Sequence, residues 1–420
     1  MNGGLPPQIR TAVPGPRSIQ LVDVLARHEC PAITARRARR ADQLGATTDD
    51  PIVWESALGA NVLDADGNRF VDLTSGFGVT LLGHRHPEVV AAVHGQTERL
   101  VHAMGDAWPD RTRIALLDRL ASLTPDGLDL TLLGLSGSDA VDAAVKTATL
   151  ATGRSGVITF ERSYHGLALG VCALQGYKSA FVEPFRGITH PAVTHLPWGC
   201  SMEALDTALT AEVGLVLAEP IQGRGGIREA PAGWLSDVAH HTRGSGALFA
   251  FDEIQTGLGR TGDLFAGSHE GVVPDLMCLG KVLGGGFPIS ACIGTAEAMA
   301  AWGASEGEAM HTQTFLGHPP GCAAALAVLE ILERDAVVDA VRERGDRLAS
   351  ELRGLGLEVR GRGLMRAVTL PGDALSFSRR LLARGFLVLP ATADSLGLLP
   401  PVCLTEAQLD AFVHELGHLL

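Results

Sequence analysis

The chain has 420 residues, 46% of them hydrophobic and 19% charged, with a formal net charge of -13. That apolar content supplies a sizeable core and excludes a disordered or low-complexity chain, and the length calls for two domains or one large α/β unit with an appendage. The acidic balance excludes a general binder of nucleic acid or of an anionic membrane, no apolar run is long enough to span a bilayer, and seven scattered cysteines without a C-x-x-C pair fit a reducing cytoplasm better than a disulfide or zinc scaffold.

In chain order, Met1 to Ser18 is rich in Gly and Pro and reads as a loose arm, not a signal peptide. The cluster Arg36, Arg37, Arg39 and Arg40 is followed by the polar, acidic stretch Ala41 to Asp50, so it reads as a solvated helix face and not an export signal. Asn61 to Leu73 has two alternating runs around Asp66-Gly67-Asn68, the pattern of a hairpin. Short apolar runs then alternate with helical patterns. Strands are expected at Leu130 to Leu135, Gly156 to Phe160, Val213 to Ala218, Ala247 to Phe251 and Leu276 to Leu279, with a helix from about Asp139. This alternation predicts a mostly parallel sheet covered by helices on both faces, an α/β architecture. The short link Val282 to Phe287 leads to Pro288 to Gly294 and suits an antiparallel neighbour. A long amphipathic helix begins near Gly321. Leu352 to Leu420 reads as a smaller domain with strands at Leu357 to Val359, Met365 to Leu370 and Leu387 to Leu389.

Ligands of open α/β sheets sit at the carboxyl ends of the strands, and here those ends carry chemistry. Ser136-Gly137-Ser138-Asp139 lies between a strand and a helix, where free N–H groups bind phosphate; a plain capping box is the equal alternative. Tyr164-His165-Gly166 places an aromatic at a strand end, able to stack on a planar ligand. Glu219 and the pair Asp252-Glu253 each close an apolar run, where a carboxylate is costly to bury unpartnered. Lys281 sits between Gly280 and Val282, and it is one of only three lysines, with Lys146 and Lys178, against 31 arginines. A desolvated lysine becomes a nucleophilic amine able to form a Schiff base. A phosphate cradle, a stacking aromatic, a carboxylate for a ring nitrogen and a lysine for an aldehyde are together what pyridoxal 5'-phosphate requires.

The chain resembles the class III, ornithine/4-aminobutyrate-like aminotransferases of the fold-type I pyridoxal phosphate superfamily over nearly its whole length. The strings that carry the resemblance are Gly83-His84 with His86-Pro87, Ser136 to Ala140, Tyr164-His165-Gly166, Glu219-Pro220-Ile221-Gln222-Gly223, Asp252 to Gly257 with Gly259-Arg260-Thr261-Gly262, Pro274-Asp275, and Gly280-Lys281, 29 residues after Asp252. The resemblance implies a large domain built on a mostly parallel seven-stranded sheet between helices, and a smaller α+β domain formed from both termini. The corresponding ranges are 1–67 for the N-terminal arm and joining segment, 68–315 for the large domain and 316–420 for the small one. It also implies that Lys281 forms the internal aldimine, Asp252 pairs with the pyridinium nitrogen, Gln255 contacts the ring hydroxyl and Tyr164 stacks on the ring. Gly137 and Ser138 would bind phosphate, His165 and Glu219 would adjoin the cofactor, and Thr314 would reach the phosphate of a neighbouring subunit, making a homodimer necessary. The activity implied is ping-pong transfer of an amino group from an amine or amino acid to a keto acid or aldehyde, in the cytoplasm, without metal. A racemase, epimerase or aminomutase on the same scaffold is the alternative, and a non-catalytic binding protein the alternative from another class.

Two positions depart from the family pattern. The Glu that follows Glu-Pro-Ile-Gln-Gly in the ornithine and 4-aminobutyrate branches is here Arg224, and the Arg expected before the Pro400-Pro401 pair is Gly397. Either Arg224 supplies the carboxylate-binding cation, or it points to solvent and the pocket suits a neutral or apolar amine. Phe77 would line the entrance. His414-Glu415-Leu416-Gly417-His418 matches H-E-x-x-H, but a chain-end helix is a poor metal site. Gly257 to Gly262 fits G-x-G-x-x-G without clearly opening a helix, which disfavours a dinucleotide site. His240-His241 reads as a solvated helix end.

Overall fold

The computed structural model describes residues 3–46, 49, 51–304 and 309–420. Met1 and Asn2 of the expected arm, and Thr47, Thr48 and Asp50 of the acidic stretch, lie outside the described residues. The chain divides into two compact units, one of residues 1–86, 344–359 and 364–420, the other of 87–343 and 360–363. The limits expected at 67 and 315 fall elsewhere. Gly67 lies in the turn of the hairpin, and the Pro319–Arg334 helix stays with the larger unit because it packs on the Pro87–Arg99 and Arg111–Leu123 helices.

The larger unit is built on a seven-stranded sheet. Its spatial order is Leu128–Gly134, Ser290–Thr295, Leu276–Leu279, Leu248–Asp252, Val213–Ala218, Gly156–Phe160 and Val193–Leu196. Ser290–Thr295 runs antiparallel to both its neighbours, as the short link before it requires, and the other pairings are parallel. Alternate residues of Val213–Ala218 face opposite sides. Leu215 and Leu217 pack with Val141 and Ala144 of the Gly137–Thr152 helix, whereas Val216 and Ala218 pack with Trp234 and Val238 of the Trp234–Gly244 helix. Both faces are therefore dry, which is why these strands read as unbroken apolar runs. The edge strand Val193–Leu196 is only half-buried and gave no such run.

In the smaller unit the hairpin Asn61–Asp64 and Arg69–Asp72 is joined by Trp54–Leu58 on one side and by Phe386–Leu387, in parallel, on the other. Met365–Thr369, Ser395–Leu398 and Leu389–Pro390 pair antiparallel in that order. Phe377, Leu381, Phe386, Leu398 and Phe412 lie in its core. The amino-terminal segment is not loose, which corrects the expectation from its Gly and Pro content. Gln8 and Arg69 exchange backbone hydrogen bonds of 2.8 and 2.9 Å. The Leu5 N–H donates to Asn61 (2.9 Å), the Arg10 N–H donates to Asn68 (2.8 Å), and Asp66 accepts the Arg17 and Ser18 N–H groups (2.7 and 2.9 Å) at the start of the Pro16–His28 helix. The hairpin side chains supply the partners that the segment's own sequence lacks.

Candidate active site

The carboxyl ends of five sheet strands bring together most of the residues singled out above. After Leu128–Gly134, Ser136 caps the Gly137–Thr152 helix: its Oγ accepts the Asp139 N–H (3.2 Å), and Asp139 Oδ2 accepts the Ser136 N–H (3.0 Å). The capping box and the anion cradle coexist, because the box uses the N–H groups of Ser136 and Asp139, while those of Gly137 and Ser138 have no acceptor within the helix. Gly166 lies against this turn so closely that a Cβ there would stand 2.2 Å from Ser138 Oγ, and its φ of 104° is open only to glycine.

Beyond the Gly156–Phe160 strand, His165 is buried and its Nδ1 lies 2.7 Å from Asp252 Oδ2. Its Nε2 is 3.1 Å from Thr159 Oγ1, which in turn is 3.1 Å from Ser163 Oγ. Asp252 ends the Leu248–Asp252 strand, is 4% exposed, and also accepts the Ile254 N–H (3.1 Å). Glu219 follows Val213–Ala218 and accepts the Tyr164 N–H (2.8 Å) and the Gly223 N–H (2.9 Å). Burial pushes its carboxyl up to about 7, with Asp252 adding to the shift and His165 opposing it. Gln255 lies over Gly223, where a Cβ would stand 2.0 Å from Gln255 Oε1.

Lys281 opens the short turn after Leu276–Leu279 with φ 43°, a left-handed conformation that a non-glycine residue holds at a cost of order 1 kcal/mol. Burial pulls its amine down to about 8, against the opposite pull of Asp252 and Glu219, while Arg224 and Arg260 reinforce the lowering. Ile254 packs on both Gly137 and Gly280 and so links the helix start to the lysine turn. Arg224 is exposed and lies over the Tyr164 ring, 4.4 Å from its centroid. Thr314 is also exposed, and among the described residues no hydrogen bond joins it to this group. Phe77 belongs to the smaller unit, where it is 64% exposed at φ 65°. Gly397 is buried within Ser395–Leu398 of the smaller unit, paired with Ala367 and Leu389.

Thr159, Ser163 and Tyr177 were not singled out from the sequence. Tyr177 was within reach, because the chain has only two tyrosines and the other is Tyr164. The hydroxyls behind His165 carried no signal, since Thr and Ser are ordinary strand and turn residues.

Glu253 faces away from this group. It accepts Thr256 Oγ1 (2.5 Å) and the Gly267 N–H (2.8 Å), and burial pushes its carboxyl up to about 7. Because the folded pKa exceeds the unfolded one, the native state binds the extra proton between about pH 4.5 and 7, and stability falls as pH rises through that window, by at most about 1.4 kcal/mol per unit from one group. Glu253→Gln should flatten the rise of the urea midpoint between pH 7 and pH 5 relative to the wild type; parallel curves would contradict this.

His414 and His418 lie 3.0 Å apart through their Nε2 atoms on the surface, and among the described residues no group of three or more His, Cys, Asp or Glu is placed to hold a metal. Among the described residues no helix is long and apolar enough to cross a membrane.

The fold is that of the fold-type I pyridoxal phosphate transferases. An ornithine aminotransferase structure from Toxoplasma gondii superimposes with a TM-score of 0.85 at 28% identity, covering 96% of this chain and 94% of that one. A second, crystallised with oxidized glutathione and described as showing partial occupancy of PLP at its active site, gives 0.81 at 30% identity over 90% and 92%. Residues 44–420 match the family Aminotransferase class-III. Acetylornithine aminotransferases from Methanosarcina mazei and Mycobacterium tuberculosis are 35% and 37% identical over 374 and 398 residues, covering 87% and 92% of this chain and 91% and 96% of theirs. The chain belongs to the class-III aminotransferases, enzymes that transfer amino groups with pyridoxal phosphate as cofactor. The residues present fit that cofactor. A helix start with free N–H groups, a glycine pressed against it, a buried histidine-backed carboxylate and a desolvated lysine have the chemistry to suit its phosphate, ring and aldehyde.

Proposed function

We propose that this enzyme moves an amino group from an amino acid donor to an oxo acid acceptor by a ping-pong cycle centred on Lys281. The observation that carries the reading is the convergence on one sheet edge of Lys281, with its lowered amine, and the His165–Asp252 pair. When bound, pyridoxal phosphate supplies an aldehyde that captures the amine and a ring that withdraws electrons from the substrate carbon. With the cofactor bound, Lys281 Nζ would hold its aldehyde in the resting site and, once free, would be the base that takes the proton from the substrate's amine-bearing carbon. Asp252 would hold a proton on the cofactor's ring nitrogen, with its carboxylate fixed by His165 through Oδ2. Gly137 and Ser138 would hold its phosphate through backbone N–H groups, Tyr164 would cover its ring and Gln255 would meet its ring hydroxyl, while Glu219 fixes the Tyr164 and Gly223 backbones.

The active form is a homodimer in which Thr314 completes the phosphate site of the other copy. Exposed apolar side chains beside Thr314 in the sequence, Met310 at 47% and Phe315 at 50% exposure, support this, as do Met104 at 53% and Trp108 at 71% in the segment that meets the same stretch through the Thr312–Asp106 hydrogen bond. Light scattering that gave the mass of a single chain would contradict it. Cytoplasmic residence, with no nucleic-acid or membrane partner, accords with the unpaired cysteines and the net charge of -13.

Incubating the holoenzyme with single donors, N-acetylornithine and ornithine among them, tests the reaction itself. Amino transfer leaves stoichiometric pyridoxamine phosphate without any acceptor, whereas exchange of the donor's α-hydrogen with no pyridoxamine phosphate would indicate racemisation.

A further inference from the structure

Arg224 lies across the chain's only two tyrosines. Its guanidinium carbon is 4.4 Å from the Tyr164 ring centroid and 5.0 Å from that of Tyr177, and the two rings meet edge to face at 6.4 Å and 87°. Contact with ring faces restrains the guanidinium plane while leaving its N–H edges open, and those edges form the fork that matches a carboxylate. Among the described residues Arg224 makes no ion pair and no side-chain hydrogen bond. The carboxylates near it are committed elsewhere, Glu219 to two backbone N–H groups and Asp252 to His165 and the Ile254 N–H. The same loop continues through Gly226, whose carbonyl accepts from Arg360 Nε (2.8 Å), to Arg228, whose charge is felt by Arg162 and Arg360. The loop's surroundings thus hold several cations, and among them Arg224 lies on the two tyrosine rings with its guanidinium edges open.

We propose that Arg224, held on the Tyr164–Tyr177 platform, binds the substrate's carboxylate and restricts the site to amines and oxo acids that carry an anionic group away from the reacting carbon. This rests on the aminotransferase reading above. A carboxylate meets the guanidinium edge through two parallel charge-assisted hydrogen bonds, whereas an ammonium in the same place is repelled. Diamines are therefore excluded as donors, and the two half-reactions share one anion-binding group because Arg224 sits on the rings and not on either substrate.

The test is calorimetric binding of glutarate and of its neutral counterpart glutaramide to the holoenzyme, in the wild type, Arg224→Ala, Arg224→Gln and Arg224→Lys. Loss of a charged hydrogen-bonded pair should weaken glutarate by about tenfold or more in the Ala and Gln variants, with Lys intermediate because it lacks the fork. Glutaramide binding should be unchanged. Glutarate affinity within twofold of the wild type in both neutral variants, an equal loss for glutaramide, or no saturable glutarate binding to the wild type overturns the proposal. The visible absorption of the lysine-bound cofactor, read on the same samples, separates the two failures. Its presence with unchanged glutarate binding sinks the role of Arg224 alone, and its absence from the wild type sinks the reading of the site.

Discussion

Replacing Lys281 with Ala is expected to lower the rate of amino transfer by about 10⁴-fold or more, because in the proposed cycle one side chain is both the amine that holds the resting site and the base that moves the substrate proton. No other lysine is placed to take over. Lys146 is half-exposed and paired with Asp142 at 2.7 Å, and Lys178 lies over the Tyr177 ring, 5.0 Å from its centroid. The left-handed φ of 43° at Lys281 belongs to the same argument, since strain of this kind persists where the surrounding structure fixes it. Because removing the side chain also relieves burial of an amine, Lys281→Ala should fold at least as well as the wild type. Single-turnover rates with a donor measure the effect directly; a variant within tenfold of the wild type would contradict the assignment.

The second large effect is expected at Asp252. Asp252→Asn preserves the shape of the contact with His165 and removes its charge. With the group 4% exposed, little water is present to compensate. Loss of one preorganised electrostatic partner costs about 10²–10³-fold in kcat. The donor KM should change little, because in the proposed role the carboxylate acts on the cofactor's ring nitrogen and not on the substrate. A kcat within fivefold of the wild type, or a loss confined to KM, would show that Asp252 is structural. His165 enters only as a positioning residue, through the 2.7 Å contact that fixes one carboxylate oxygen.

The centre of the fold was legible because its strands are buried on both faces. Gly156–Phe160, Val213–Ala218 and Leu276–Leu279 coincide with the unbroken apolar runs of the sequence, and their polar ends announce the site. Burial on one face or none defeats that signal. Val193–Leu196 at the sheet edge was missed, and the run Leu387 to Leu389 proved to be two short strands, Phe386–Leu387 and Leu389–Pro390, that join different sheets. Composition alone makes the arm look loose because its anchors, Asn61, Asp66 and Asn68, lie some fifty residues away, where local composition cannot report them. In the site, the residue types and their order were readable, but the partners were not. Nothing in the sequence tells that His165 turns to Asp252, that Glu219 is spent on two backbone N–H groups, or that Arg224 settles on two rings.

Borohydride reduction of the resting enzyme, followed by peptide mass mapping, tests the central assignment most directly. The account predicts a single stable adduct of the cofactor on the peptide that contains Lys281. An adduct on Lys146 or Lys178, or no adduct in protein that carries the cofactor, would contradict it.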